Sequence, residues 1–378
     1  MKKLKLFLII LFLSCGIVIL MKNAVISAEK PLSSRLLQDK TMRPQKDTVG
    51  YVSKAWQMDS IMNRIMRRYG KYYDNLYKAQ NVNKDLSFRM AICPHDDYAY
   101  AGFLYNEVFT HLKAKTVIIL GVAHKAKKFN IEEKIVFDDF KYWRGPYGQI
   151  KISSLREQLM NNLSPADYIV HDSLQIEEHS VEAFMPFLQY YQKNIEIVSI
   201  LVPYMQFSTM NSISLDLARS IQKVLKADNL QWGRDVALLV STDAVHYGDE
   251  DWGGQNYAQY GCDSAGYKNA VTHEHEIMSR CFQSADSVGA GKFVDYTVKS
   301  GNWRDYKWTW CGRYSVPFGM LTAFHLQKLA GEAPLKSVLS DYSTSIAQKQ
   351  LKVDDLKMDI TAKANLHHWV GYCVEGFK

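Results

Sequence analysis

The sequence predicts an α/β protein: a layered α/β/α single domain on a mostly parallel or mixed central sheet. Three observations carry that prediction. Short apolar stretches alternate with segments that repeat apolar groups every three or four positions, the pattern of buried strands between amphipathic helices. The segment 236–241 is apolar on both faces, as a strand covered by helices on either side must be. No internal repeat or low-complexity tract divides the chain.

The elements follow in order. Lys2, Lys3 and Lys5 precede an apolar run over 6–21, then Lys22 and a small-residue segment over 24–28. That order is an export signal, because the run is shorter than the roughly 20 residues a bilayer span needs. Residues 1–28 are expected to be a signal peptide cleaved after Ala28 or an N-terminal anchor, with Cys15 a less favoured point of lipidation. The remainder is then exported, periplasmic or membrane-anchored outside the cytoplasm, and reaches a membrane only through this segment. Residues 29–50 are polar and mixed and read as a poorly ordered linker, so the domain is expected over 51–378.

Met58, Ile61, Met62, Ile65, Met66 and Tyr69 stand at helical spacing within 51–80. Next come a strand at 88–93, a helix at 102–112, strands at 116–120 and 134–138, and a helix at 155–162. A helix at 181–191, a strand at 195–201, a helix at 210–225 and the strand at 236–241 continue the alternation. Helices are expected at 263–283, 286–299 and 320–330, and closing strands at 341–345 and 369–374.

With 378 residues, 47% hydrophobic and 22% charged, the composition is that of a globular protein. The net charge of +7 is dispersed, and no basic run carries interleaved aromatics, so no nucleic-acid partner is indicated. Beyond the N-terminal segment, Cys93, Cys262, Cys281, Cys311 and Cys373 are odd in number and form no CxxC pair. A disulfide scaffold is therefore not expected, and at least one thiol is left free or liganded.

In an open α/β sheet, ligands bind at the carboxyl ends of strands, where loops carry function on a rigid support. The strand at 88–93 delivers His95, that at 116–120 delivers His124, and that at 236–241 delivers Asp243 and His246. A single histidine is ordinarily a satisfied core or surface residue; three at equivalent sheet positions indicate a metal, for which imidazole suits iron, copper or zinc. Cys311 precedes a helix start, where the helix N-terminus and the cation of Arg313 favour thiolate.

The blocks Pro-His-x-x-Tyr (from Pro94), Gly-x-x-His (from Gly121), Glu-His-Ser-x-Glu-x-x-x-Pro-Phe (from Glu178), Ser-x-Asp-x-x-His-Tyr-Gly (from Ser241) and Cys-Gly-Arg (from Cys311) occur in one order. In that order they resemble the Memo family, also called protein B of the AmmeMemoRadiSam group, over roughly 90–330. The resemblance implies a fold similar to class III extradiol dioxygenases and a single iron or copper ion held by His95, His124 and Cys311. It also puts His246 in the place of the dioxygenases' acid/base histidine, with Asp243 beside it as its catalytic companion. This chain departs from the family pattern at Asp96-Asp97, where Ala-Gly is usual, and at Gly121-Val122-Ala123-His124, where Gly-Pro-Ser-His is usual. A third departure is the loop Gly145-Pro146-Tyr147-Gly148 in place of Thr-Pro-Leu-Gly, a change expected to alter what the pocket admits. The acidic pair makes the pocket entrance more negative than the family norm.

Residues 177–180 are expected to open a helix, where acidic groups suit the macrodipole or line the pocket. His171, His273, His275, His367 and His368 lack such context, and His273-Glu274-His275 reads as a solvated face. The function expected is a dioxygenase-like, non-haem metal-dependent oxidoreductase acting on a small-molecule substrate. The alternatives are a non-catalytic extracytoplasmic metal-binding protein and a peptide-binding module that uses the same pocket, which the acidic pair disfavours for an anionic ligand. A metal-dependent hydrolase ranks last, since no HExxH motif is present.

Overall fold

The computed structural model describes residues 41–83 and 85–378; the expected signal or anchor, Cys15 and the linker up to residue 40 lie outside the described residues. Strands are β1 (Met42–Arg43), β2 (Met90–Cys93), β3 (Thr116–Val122), β4 (Ile135–Phe137), β5 (Tyr142–Gly145), β6 (Gly148–Ile152), β7 (Tyr168–Val170) and β8 (Glu196–Val202). They continue with β9 (Val236–Ser241), β10 (His246–Gly248), β11 (Ser284–Ala285), β12 (Val298–Lys299), β13 (Asn302–Tyr306), β14 (Leu335–Thr344) and β15 (His368–Phe377). Helices are α1 (Ala55–Ala79), α2 (Tyr98–His111), α3 (Leu155–Asn162), α4 (Asp172–Glu177), α5 (Met185–Tyr191), α6 (Phe207–Ala227), α7 (Ser264–Cys281), α8 (Ser287–Thr297) and α9 (Ser315–Ala330).

The main sheet runs β1-β5-β6-β8-β3-β9-β2-β15-β14-β11. Its centre, β6-β8-β3-β9-β2, is parallel, and β15, β14 and β11 extend it antiparallel. The sheet is therefore mixed with a parallel heart. Ile118, Leu120, Val198 and Val240 join Leu217 and Phe318 in the main core cluster. The alternate residues Val117, Ile119, Ile197 and Leu239 are also fully buried, so both faces of these strands are covered. Each such side chain contributes ~1.5–3 kcal/mol by leaving water.

Helices α6 and α9 pack together on one face, joined by α8, with α9 against β9, β3 and β8. On α6, Met210, Ile213, Leu217, Ile221 and Val224 are buried at three- and four-residue spacing, as an amphipathic helix requires. Gly319 lets α9 lie close to the sheet: a Cβ there would meet Val240 Cγ2 at 2.4 Å. The opposite layer holds α1, α2 and α5, with α2 against β2, β15 and β14. Helix α2 is buried nearly all round because it lies between that sheet face and its neighbours.

The predicted layering holds, with local differences. Helix α2 starts at Tyr98, directly after the Asp pair, and α9 starts at Ser315, since Pro317 is tolerated in a first turn. The stretch 181–191 is a 3₁₀ turn, Glu182–Phe184, leading into α5. Met66 is 49% exposed, on the outer side of α1. The largest difference is at 41–50, where Arg43 and Gly50 are buried. Arg43, only 1% exposed, ion-pairs with Glu182, donates to the Gln175 carbonyl at 3.0 Å and that of Glu178 at 2.6 Å, and stacks on Trp143. A polarity-based reading assigns such an arginine to solvent, because the partners that neutralise it lie over a hundred positions away. No helix among the described residues is long and apolar enough to cross a membrane.

Candidate metal centre

Strands β3, β9 and β2 are consecutive and parallel, with Leu120 opposite Val240 and Cys93 opposite Ser241, so their carboxyl ends share one rim. The chain leaves β2 into Pro94-His95, β3 into Ala123-His124 and β9 into Thr242-Asp243. Cys311 reaches the same rim from far along the sequence. A bridge pairs Val245 with Trp310, the His246 N–H donates to the Thr309 carbonyl at 3.1 Å, and the Gly312 N–H donates to Thr242 Oγ1 at 3.0 Å.

The structure brings together all five predicted residues. One donor atom each from His95, His124 and Cys311 lies within 4.8 Å of the others, and so do those of Asp243, His246 and Cys311. His95 Nε2 stands 3.6 Å from Cys311 Sγ and 3.4 Å from Asp243 Oδ2. His246 Nε2 is 3.9 Å from Asp243 Oδ2, too far for a hydrogen bond, and is buried without a partner.

The hydrogen-bond network bears on the tautomers of His95 and His124. Ser241 Oγ spends its proton on the Ser180 carbonyl at 2.6 Å, so it accepts from His95 Nδ1 at 2.7 Å and leaves His95 Nε2 with its lone pair. Glu178 accepts from His124 Nδ1 at 2.8 Å and from the backbone N–H groups of His124, His179 and Ser180. Burial alone would raise this carboxyl, but His124 and His179 with those N–H donors hold it at about 2. An ionised Glu178 obliges His124 to carry a proton on Nδ1, so that Nε2 is the ring nitrogen Glu178 does not engage. Glu178 lies at the C-terminal end of α4 rather than at a helix start, so the expected dipole role does not apply. Its neighbour His179 stacks on His124 at 4.9 Å.

Burial and the neighbouring imidazoles of His124, His368 and His179 push His246 down to about 3, so it is neutral near pH 7. Burial raises Asp243 to about 7, against the lowering effect of the His95 N–H that it accepts at 2.9 Å. Burial, and next the Asp243 charge, raise the Cys311 thiol; the Asp243 N–H at 3.0 Å and the Thr242 hydroxyl oppose them. Arg313 does not play the part expected of it. Its guanidinium lies over the Tyr306 ring at 3.5 Å and donates to the Arg304 carbonyl, so a backbone amide, not a cation, supports the sulfur.

A cavity of about 240 Å³ opens over the rim, lined by His95, Asp243 and His246 together with Tyr51, Trp252 and His368. Asp96 and Asp97 also face it, as their position predicts. Burial first, and then Asp243 for Asp96 and Asp96 for Asp97, hold both carboxyls above the usual range. Asp96 accepts from the Tyr372 hydroxyl at 2.6 Å, and Asp97 from the Thr361 N–H at 2.6 Å. Gly145-Pro146-Tyr147-Gly148 turns between β5 and β6 and is not among the cavity's lining residues; the Tyr147 hydroxyl bonds Asp59 under Lys193.

Sequence reasoning left out His368, which stacks on Trp252 at 4.1 Å, and Tyr51, whose hydroxyl donates to the His95 carbonyl. Neither has a local signal, since each acts through a partner remote in the chain. Glu274, expected on a solvated face, is fully buried and accepts from Trp308 Nε1 at 2.6 Å and Trp310 Nε1 at 2.7 Å. His171 caps α4, its Nδ1 accepting from the Leu174 N–H. All five cysteines of the described residues are free thiols.

Comparison with known proteins gives the family. A model of the Memo-like protein family matches residues 60–353. A MEMO1 family protein of Thermococcus onnurineus is 27% identical over 263 residues, covering 67% of this chain and 79% of its own length. Another, from Thermococcus kodakarensis, is 25% identical over 272 residues, covering 69% and 81% respectively. One from Pyrobaculum aerophilum is 29% identical over 167 residues, covering 42% of this chain and 54% of its own. With the family match spanning well over half of the sequence, and the five motif blocks converging on one rim, this chain belongs to the Memo family.

Proposed function

We propose that this protein holds one iron or copper ion through His95, His124 and Cys311 and works as a dioxygenase-like oxidoreductase on a small substrate. The observation that carries the reading is the convergence of two imidazole nitrogens and a sulfur beside an unpartnered, buried His246 Nε2. The donor set fits the group: imidazole and thiolate are borderline to soft, and so favour iron or copper over magnesium or calcium. A bound ion would supply one-electron redox capacity and the coordination positions that three protein ligands leave free.

The remaining steps belong to the chain. Neutral His246 accepts a proton at Nε2 from a substrate in the cavity and returns it, and Asp243 Oδ2 steadies the imidazolium formed. Asp243 also ties the His95 backbone to the rim through its Oδ1. Trp252, Tyr51 and His368 line the cavity in which His95, Asp243 and His246 stand. Asp96 and Asp97, their carboxyls raised by burial, offer the wall hydrogen-bonding groups that suit a neutral polar small molecule better than an anion. On the same reading residues 1–28 deliver the protein outside the cytoplasm.

Anaerobic reconstitution with Fe(II) or Cu(I), metal quantification and oxygen uptake with catechols test the proposal. Oxygen uptake that requires both the metal and His246 is expected. A second reading, a metal holder without turnover, draws on the sulfur of Cys311, which is softer and more readily oxidised than a carboxylate. Stoichiometric metal without uptake would select it, and a protein that retains no metal would end both readings.

A further inference from the structure

We infer that Asp249, Cys262 and His367 form a second metal site, suited to zinc(II), which pins the loop 249–262 to the start of strand β15 at the lip of the cavity. Asp249 Oδ1 accepts from Cys262 Sγ at 3.1 Å and from His367 Nδ1 at 2.8 Å. Donor atoms from the three residues lie within 4.8 Å of one another.

The backbone holds these side chains together independently of their own pairing. The N–H groups of Asp249 and Glu250 both donate to the His367 carbonyl, at 3.0 and 3.1 Å. Gly248 makes that approach possible. Its φ is +131°, and a Cβ there would meet the His367 carbonyl oxygen at 1.8 Å. Cys262 is fixed from the other side, since the buried Tyr247 hydroxyl donates to the Gly261 carbonyl at 3.1 Å and accepts from the Tyr260 N–H at 2.8 Å.

The chemistry of the donors points to zinc. One imidazole nitrogen, one sulfur and one carboxylate oxygen match the donors that zinc takes, whereas calcium or magnesium would call for oxygen throughout. The half-exposed position leaves the fourth tetrahedral place to water. Entry of Zn²⁺ expels the thiol proton and frees Nδ1 as its proton moves to Nε2 or to solvent; no electron is transferred. The consequence reaches the cavity, because Trp252 lies in the pinned loop, stacks on His368 and stands 5.2 Å from the His246 ring. An ion at the lip would thus hold that wall of the pocket in place.

The test uses the full chain carrying Cys311→Ala, which removes the sulfur of the rim site, titrated anaerobically with cobalt(II). Expected is one equivalent bound with a sulfur-to-cobalt charge-transfer band that zinc displaces and that Cys262→Ser, added to this background, abolishes. No band, or a band that survives Cys262→Ser, overturns the site. Zinc content gives a second readout without the rim substitution: wild type should exceed Cys262→Ser, and likewise His367→Ala, by one equivalent, and equal contents overturn it.

Discussion

The rim cluster and the lip cluster employ much the same side chains in opposite surroundings. At the rim, His95 is 1% and Cys311 5% exposed, and His95, His124 and Cys311 each have a hydrogen-bond partner of their own in Ser241, Glu178 or the Asp243 N–H. At the lip, His367 and Asp249 are 50% and 38% exposed and their side chains lean on one another. A site whose donors are held before any ion arrives can keep coordination positions open and tune what occupies them. Half-exposed side chains whose segments are already tied together through the backbone are better suited to fastening a loop than to chemistry.

The largest effect should come from the rim ligands. His124→Ala and Cys311→Ala are each expected to abolish iron or copper retention after desalting while the circular dichroism stays that of wild type; retention by the Cys311 variant would break the comparison. Next, His246→Ala should keep the metal and lose turnover by ~10²–10⁴-fold, the worth of a positioned acid/base group. Metal loss in that variant would make His246 a ligand instead. Glu178→Gln, measured by competition with a chelator, should weaken rim binding by ~10–100-fold and leave lip binding unchanged.

The smallest effect concerns burial without any metal ligand. Burial raises Glu375 to about 8, although the Ser340 and Ser337 hydroxyls each donate to it at 2.7 Å. Because the folded carboxyl keeps a proton that the unfolded chain releases near pH 4.5, its contribution is fully present below that value. It is lost as pH rises towards 8. Glu375→Gln should flatten the thermal midpoint against pH over this window, and an unchanged slope would show that the carboxyl is not the source.

Much of the framework was legible because local pattern and burial coincide here. The helix over 155–162 and the strand over 236–241 stand where their spacing puts them. His95, His124 and Asp243 could be picked out as candidates because a strand end is a position that sequence reveals. Glu178 and Arg43 could not be read in the same way. The carboxylate expected at a helix start holds the His124 ring from a helix end, and the arginine expected in a linker is buried against Glu182. Both roles come from partners on other segments, which neither periodicity nor polarity records.

By itself the sequence determined the α/β alternation, the apolar strands covered on both faces and the delivery of three histidines to strand ends. These are consequences of side-chain period and of backbone polarity, and they act over a few residues. Only the tertiary structure decided that Cys311 meets His95, that His246 Nε2 is left without a partner, and that Asp249, Cys262 and His367 gather at the lip. Such meetings depend on strand order and on close backbone approaches like that at Gly248. Those are settled when the whole sheet packs, because no local stretch contains both sides of the contact.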